Sequence, residues 1–351
     1  MTNSTNHTKV LVTGGTGFVG VHCILQLLQQ GYQVRTTLRT MSRQNEVKEM
    51  LREGGIQSFD SLEFIEADLS KDANWEIAAA GCDYVLHVAS PLSLATPKHE
   101  NELIVPAVEG TLRVLKASRD AGVKRVVVTS SFAAVGYSHT DPTQLITEKS
   151  WTNPNDKTIS TYVKSKTLAE KAAWNFMETE GGNLELAVVN PVAIFGPSLG
   201  TDMSGTFEIL RPLIEGKTKR LPRLHFGIVD VRDVADLHLK AMLNPKGKGE
   251  RFLAVSGGVM SFKAIALLLK NELGDKGTRI STRTVPDWVL RIAALFNPTA
   301  KSIVPMLGRL RNASNAKAKT LLGWEPRTNE EAIMATAESL FKFGLIKNAG
   351  Q

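Results

Sequence analysis

Tyr162 and Lys166 stand four residues apart at the front of a helical stretch, TYVKSKTLAEKAAWNFM. On a helix, residues i and i+4 share a face, so a phenol and an ammonium at this spacing point into one space. A lysine cation beside a phenol favours the phenolate and lowers a pKa that is ordinarily about 10. A tyrosine so placed serves as proton donor or acceptor near neutral pH. The spacing alone also describes a solvated lysine below a half-buried tyrosine, so its meaning depends on what lies upstream.

Upstream is VLVTGGTGFVG at residues 10–20. Val10 to Val12 reads as a buried first strand, and Phe18 onward as a helix with apolar Ile24, Leu25, Leu27 and Leu28. A strand, a glycine turn and a helix form the context of a dinucleotide fingerprint. Gly14 permits the tight turn, Gly17 lets backbone approach a pyrophosphate, and Gly20 lets the helix pack closely. The helix N-terminus, from Phe18 and Val19, offers unpaired N–H groups and the positive end of its dipole to phosphate.

The chain has 351 residues, 42% hydrophobic and 22% charged, enough to bury a sizeable core. The length suits one large α/β domain, or a main domain with a smaller partner. No apolar run approaches the roughly 20 residues needed to cross a bilayer. The opening MTNSTNHTK lacks the apolar region of a secretory signal. Cys23 and Cys82 make neither a disulfide framework nor a zinc site and fit a reducing compartment. These features predict a cytoplasmic protein without a metal and without a membrane partner. The net charge is +7, and Lys217, Lys219, Arg220 and Arg223 form the one candidate basic patch. No nucleic-acid-binding signature accompanies it, so no nucleic-acid partner is expected, and attraction of a polyanionic cofactor uses the excess charge.

Strand patterns at KVLVT, YQVRTTL, LEFIEADL, YVLHVAS, RVVVTSS and LELAVVN alternate with helical patterns near 18–30, 44–53, 101–119 and 161–179. Such alternation predicts βαβ units and a doubly wound, Rossmann-type parallel sheet, with ligands at the carboxyl ends of its strands. After Pro191 the alternation loosens. VDVRDVADLHLKAML reads as a return to the sheet followed by a helix, then ERFLAVSG as a further strand and a helix from Ser261. The expected organisation is a nucleotide domain over 1–190, with return segments near 226–256, and a smaller substrate-binding domain mainly over 191–351.

With the glycine turn, the TSS run at 129–131 and YxxxK together, the chain resembles the extended short-chain dehydrogenase/reductases, and within them the dihydroflavonol reductase and aldehyde/ketone reductase branch. EADL at 66–69, HVASP at 87–91, NPVAIFGP at 190–197, VDVRDVADLH at 229–238 and AKTLLGWEP at 318–326 extend the resemblance over nearly the whole chain. The resemblance implies that Tyr162 donates a proton to a carbonyl oxygen as hydride reaches the carbon. Lys166 would hold the nicotinamide ribose and keep the tyrosine pKa low. Ser131 would hydrogen-bond the carbonyl oxygen, with neighbouring Ser130 the alternative, since only one of two adjacent strand-end residues points into the pocket.

NAD-specific folds place an acid after the second strand, about 20 residues past the glycines, for the ribose 2′-hydroxyl. Here YQVRTTLRT carries no acid until Glu46, whereas Arg39 and Arg43 follow the strand. Arginine pairs a 2′-phosphate bidentately, which predicts NADPH/NADP+. Arg35, two pleats earlier, supports from the strand. By position, Asp68 and Leu69 flank the adenine, Val88, Ala89 and Ser90 line the ribose channel, and Pro191 and Val192 meet the nicotinamide edge. His87, inside its strand, is a structural histidine.

Leu92, Phe132, Phe195, Pro197 and Phe226 are the expected apolar walls for a hydrophobic aldehyde or ketone. Gly136 stands where plant dihydroflavonol reductases tend to carry asparagine, which points to a broader carbonyl reductase. Two other readings share the sequence features: a nucleotide-sugar epimerase or dehydratase with bound NAD, disfavoured by Arg39, and a non-catalytic NADP-binding regulator, disfavoured by the retained Ser131, Tyr162 and Lys166. A monomer and a homodimer are equally compatible with the sequence.

Overall fold

The computed structural model describes residues 7–91, 99–201 and 205–346. Its first half alternates, with one doubled helix before the sixth strand: β1 (Lys9–Thr13), α1 (Phe18–Gln29), β2 (Gln33–Leu38), α2 (Gln44–Glu53), β3 (Leu62–Glu66), α3 (Trp75–Ala79), β4 (Tyr84–His87), α4 (Asn101–Asp120), β5 (Arg125–Thr129), α5 (Ala133–Gly136), α6 (Thr161–Thr179) and β6 (Glu185–Pro191). The remainder is less regular, with β7 (Ala193–Phe195), α7 (Phe207–Ile214), β8 (His225–Phe226), β9 (Ile228–Asp230), α8 (Val231–Leu243), β10 (Glu250–Ala254), β11 (Met260–Ser261) and α9 (Phe262–Glu272). Four helices follow: α10 (Asp287–Ala293), α11 (Pro298–Ile303), α12 (Ala316–Leu322) and α13 (Asn329–Lys342).

Seven strands pair in parallel in the order β10-β6-β5-β4-β1-β2-β3. Helices cover both faces, which is why the strands read as near-continuous apolar runs. Alternation along each strand sorts side chains between two cores. Val10, Val12, Val127, Ala187 and Val189 face the α1, α2 and α8 side. Leu11, Val126, Val128, Leu186 and Val188 face the side of α3, α4 and α6. A third core gathers Phe195 with α7, α9 and α13. Phe18, at the start of α1, packs edge-on against Phe207 of that third core at 5.6 Å.

The ERFLAVSG segment returns to the sheet as β10, at its edge beside β6. The VDV segment does not: β9 pairs only with β7 in a separate two-stranded sheet. Its three residues, Ile228, Val229 and Asp230, are all buried, as in a central strand, although they serve a local pair. The GWEP motif pins the C-terminal region on α8, where the buried Trp324 indole donates to the Asp233 carbonyl at 2.9 Å.

A buried polar network ties β10 to α6. Glu170 is 1% exposed and lies one helical turn beyond Lys166. Its carboxylate accepts from Arg251 Nε at 2.5 Å, Ser130 Oγ at 2.5 Å and Asn190 Nδ2 at 2.7 Å. Arg251, on β10, also donates to the carbonyls of Glu148 and Ser150 and stacks 3.7 Å from the Trp151 ring centre. Breaking a buried ion pair from one side strands a charge, at a cost of about 3–5 kcal/mol, whereas replacing both partners is close to neutral. Arg251→Met is therefore expected to lower stability in urea unfolding by about that amount. Combining it with Glu170→Gln is expected to recover most of the loss; losses that simply add would remove charge compensation as the network's role.

Candidate active site

The sheet's order reverses between β4 and β1, and the crevice at their carboxyl ends is where open α/β sheets hold ligands. Gly14 follows β1 with φ +77°, in the left-handed region. A Cβ there would stand 3.1 Å from Ala89, which follows β4. A Cβ on Gly20 would stand 2.3 Å from the Gly14 carbonyl oxygen, so α1 closes on the turn only without a side chain. Gly17 is the N-cap of α1 and supplies no side-chain cap. The first-turn amides of Phe18, Val19 and Gly20 thus start a helix whose dipole end is uncapped by any side chain. His87 is buried and bonded through Nδ1 to the Thr13 hydroxyl at 2.9 Å, which in turn accepts from the Ala89 amide. Burial lowers the His87 pKa to about 3, helped by the Lys166 charge, so it is a neutral strut joining β1 to β4.

Tyr162 enters in the first turn of α6, whose start is set by Ser160 capping the Val163 amide. Tyr162 keeps 39% of its surface open, yet the surrounding protein raises the phenol's pKa by desolvation. A hydrogen bond from Ser131 opposes that rise and the nearby phenol of Tyr137 adds to it. The expected lowering by Lys166 is absent. Its Nζ donates to Ser90 Oγ at 2.9 Å, and burial pulls its own pKa down to about 8, partly offset by the Glu170 charge. The phenol therefore stays protonated at neutral pH, the state a proton donor needs.

The two serines divide as strand-end neighbours do. Ser130 Oγ turns inward to Glu170, while Ser131 stands beside Tyr162, with its oxygen accepting from the Ala133 amide at 3.1 Å. Ser90, Ala89, Leu69, Ser130, Lys166 and Glu170 line one small cavity. Val88 is half-buried just before it.

The arginines after β2 have different surroundings. Arg35 is structural, donating to Glu63 and to the carbonyls of Ile77, Ala78 and Ala80. Arg39 is exposed, with Asp68 within electrostatic range. Arg43 is held by Glu46 through two 2.7 Å bonds. Asp68 accepts from the Ser70 amide and hydroxyl, which hold its pKa down together with Lys71 and Arg39. Pro191 is buried, with its carbonyl taking the Phe132 amide at 2.8 Å, and Val192 follows half-buried.

Of the expected walls, Phe195 is fully buried in the third core. Pro197 gives its carbonyl to His22, and Phe226 packs edge-on against Phe262. Leu92 lies outside the described residues. Phe132 packs against Tyr137 at 6.2 Å, and its ring covers Gly136, where a Cβ would stand 2.3 Å from the ring. Asparagine at 136 is incompatible with this ring position. In the basic patch, Lys217 pairs with Glu215 and Arg223 with Asp287.

Three residues near the site went unnoticed in the sequence: Glu170, Tyr137 and Arg311. Glu170 had a signal, since Tyr162, Lys166 and Glu170 repeat at i, i+4 and i+8. Arg311, whose guanidinium stacks 4.4 Å from the Tyr137 ring centre, had none.

The model of the NAD dependent epimerase/dehydratase family matches residues 10–254. Anthocyanidin reductase of Vitis vinifera is 38% identical over 65% of this chain and 70% of its own. A Candida albicans protein named for NADPH-dependent methylglyoxal reduction is 35% identical over 75% of this chain and 83% of its own. Yeast methylglyoxal/isovaleraldehyde reductase, solved in complex with NADPH, superposes with a TM-score of 0.80 at 27% identity, covering 96% of this chain and 99% of its own. Among the described residues no helix is long and apolar enough to cross a membrane. With its seven-stranded parallel sheet and glycine turn, the chain belongs to the NAD dependent epimerase/dehydratase family of extended short-chain dehydrogenase/reductases, on the dihydroflavonol and aldehyde reductase-like branch.

Proposed function

We propose that this chain reduces an aldehyde or ketone to the alcohol with NADPH, and that Tyr162 delivers the proton. The observation that carries the reading is the approach of the Ser131 hydroxyl to a Tyr162 phenol held in its protonated form. Both lie at the carboxyl edge of the sheet, where this fold holds its ligands.

The residues fit a phosphorylated dinucleotide. A turn that tolerates no Cβ at Gly14 or Gly20 and a helix end without a side-chain cap make a cradle for pyrophosphate, at Gly14, Gly17, Phe18, Val19 and Gly20. Arg39, exposed and without an acid of the NAD-binding kind after β2, takes the 2′-phosphate. Arg43, already forked onto Glu46, supports it from α2's first turn. Asp68 and Leu69 flank the adenine, Val88, Ala89 and Ser90 line the ribose channel, and Pro191 and Val192 meet the nicotinamide. When bound, NADPH supplies the hydride. Lys166 holds the ribose from its place on Ser90. Ser131 donates to the carbonyl oxygen and stabilises its growing negative charge. Tyr162 then transfers its phenolic proton to that oxygen. Residues mainly from 191–351 form the smaller domain that encloses the carbonyl compound, and a broad substrate range agrees with Phe132 occupying the space beside Gly136.

Tyr162→Phe is expected to lower turnover about 10²–10⁴-fold while NADPH affinity stays within a few-fold, read by NADPH oxidation and by fluorescence titration. Retained turnover would eliminate the assigned donor. Arg39→Asp is expected to weaken NADPH strongly and NADH little; equal weakening of the two would make Arg39 structural. Lys166 loses its proton as pH rises through about 8, below the ordinary lysine range. The apparent kcat/KM for NADPH, which reports the free protein, is accordingly expected to fall above that pH. Lys166→Arg should abolish this limb, at whatever rate it retains, and an unmoved limb would exclude Lys166 as its source.

A further inference from the structure

The segment that carries Arg311 is anchored by backbone to Ile146. The Ile146 amide donates to the Asn312 carbonyl at 2.8 Å, and the Ser314 amide returns a bond to Ile146 at 2.9 Å. Asn315 adds a bond from its side chain to the Val255 carbonyl at 2.7 Å. The guanidinium that follows from this anchoring lies 4.4 Å over Tyr137, whose ring packs on Phe132, the residue directly after Ser131. Tyr137 is also the phenol near enough to Tyr162 to disfavour a second negative charge there. One aromatic ring thus separates Arg311 from the proton donor.

This cation has no anionic partner among the described residues. Its Nε is buried with no hydrogen-bond partner, and it takes part in no ion pair. The other charge in its neighbourhood is a second cation, Arg309. Two other arginines, Arg223 and Arg327, are neutralised by Asp287 and Asp233. A half-buried guanidinium, stacked on the ring beside Tyr162 and unneutralised, is suited to a planar anion, which it binds through two parallel N–H bonds.

We propose that Arg311 is a specificity residue that anchors a carboxylate carried by the carbonyl substrate, so that the preferred substrates are oxo-carboxylates. This rests on the reductase reading above and narrows it. The carbonyl carbon receives the hydride of NADPH and its oxygen receives the Tyr162 proton, giving a hydroxy-carboxylate and NADP+. The carboxylate itself is unchanged. Its distance from the carbonyl is set by the breadth of Tyr137, which favours acids whose two groups are separated by several carbons over 2-oxo acids.

The test is NADPH oxidation by the full-length protein with oxo-carboxylic acids of graded chain length and the methyl ester of each. The wild-type protein is expected to favour one acid over its own ester by about tenfold or more in kcat/KM, as a charge-assisted contact gives. Arg311→Gln is expected to cost that acid about 10- to 100-fold, mostly in KM, and to change the ester only a few-fold. Arg311→Lys, which keeps the charge but not the fork, should restore part of the acid's advantage. Acid and ester reduced equally by the wild type, or lowered equally by Arg311→Gln, would overturn the proposal and leave Arg311 as a prop for Tyr137, with the reductase reading intact. Reduction of neither acid, ester nor any simple aldehyde would instead overturn the reductase reading, and this proposal with it.

Discussion

The placement of α6, the helix of Tyr162 and Lys166, depends on the neutralisation of one carboxylate. Glu170 lies in the interior, where an unpaired ion is strongly disfavoured, so the surrounding structure has to bring it a cation and donors. Arg251 comes from the returning edge strand, Ser130 from the end of β5 and Asn190 from β6. Satisfying this one side chain therefore sets α6 against three strands at once. Lys166 and Tyr162 lie on the same helix, one and two turns back respectively, and are positioned by the same constraint. Ser130 directs its hydroxyl there, which leaves Ser131 as the serine beside Tyr162.

The electrostatics of the site follow from enclosure more than from pairwise attraction. Burial raises the Tyr162 phenol and lowers the Lys166 ammonium, moving their pKa values apart so that the lysine is the first to lose its proton. A phenol that keeps its proton and a lysine able to lose its own make a graded pair, in place of the phenolate–ammonium pair that their spacing suggests. Ser90 fixes the lysine, and neutral His87 holds the strand end from which Ser90 projects.

Much of this was legible in the sequence where local geometry decides. The strands of the sheet and the helices at 18–29, 44–53, 101–120 and 161–179 carry periodic apolar patterns that survive into the fold. The glycine turn was legible for a similar reason, because a missing Cβ has a single steric meaning at Gly14 and Gly20. What escaped depends on residues distant in the chain. Nothing in VDVRD distinguishes a strand of the main sheet from a short pair with β7, since both are buried. Phe195 reads as a pocket wall until the third core forms around it. The pKa of Tyr162 depends on crowding and on Tyr137, and the stack of Arg311 on Tyr137 joins residues 174 positions apart, beyond any periodic signal.

The partnership of Glu170 with Arg251 also has a temporal side. The two residues are 81 positions apart, and β10 can pair with β6 only after that intervening chain exists. As synthesis proceeds from the N-terminus, α6 is made long before the strand that compensates its buried charge. Contacts of such sequence separation form late, after the loop entropy of the intervening chain has been overcome. The glycine turn between β1 and α1, built from neighbours, is local and early by comparison. Maturation of this protein thus runs from that turn to the helix of Tyr162 and Lys166, whose seating is completed last and belongs to the finished chain.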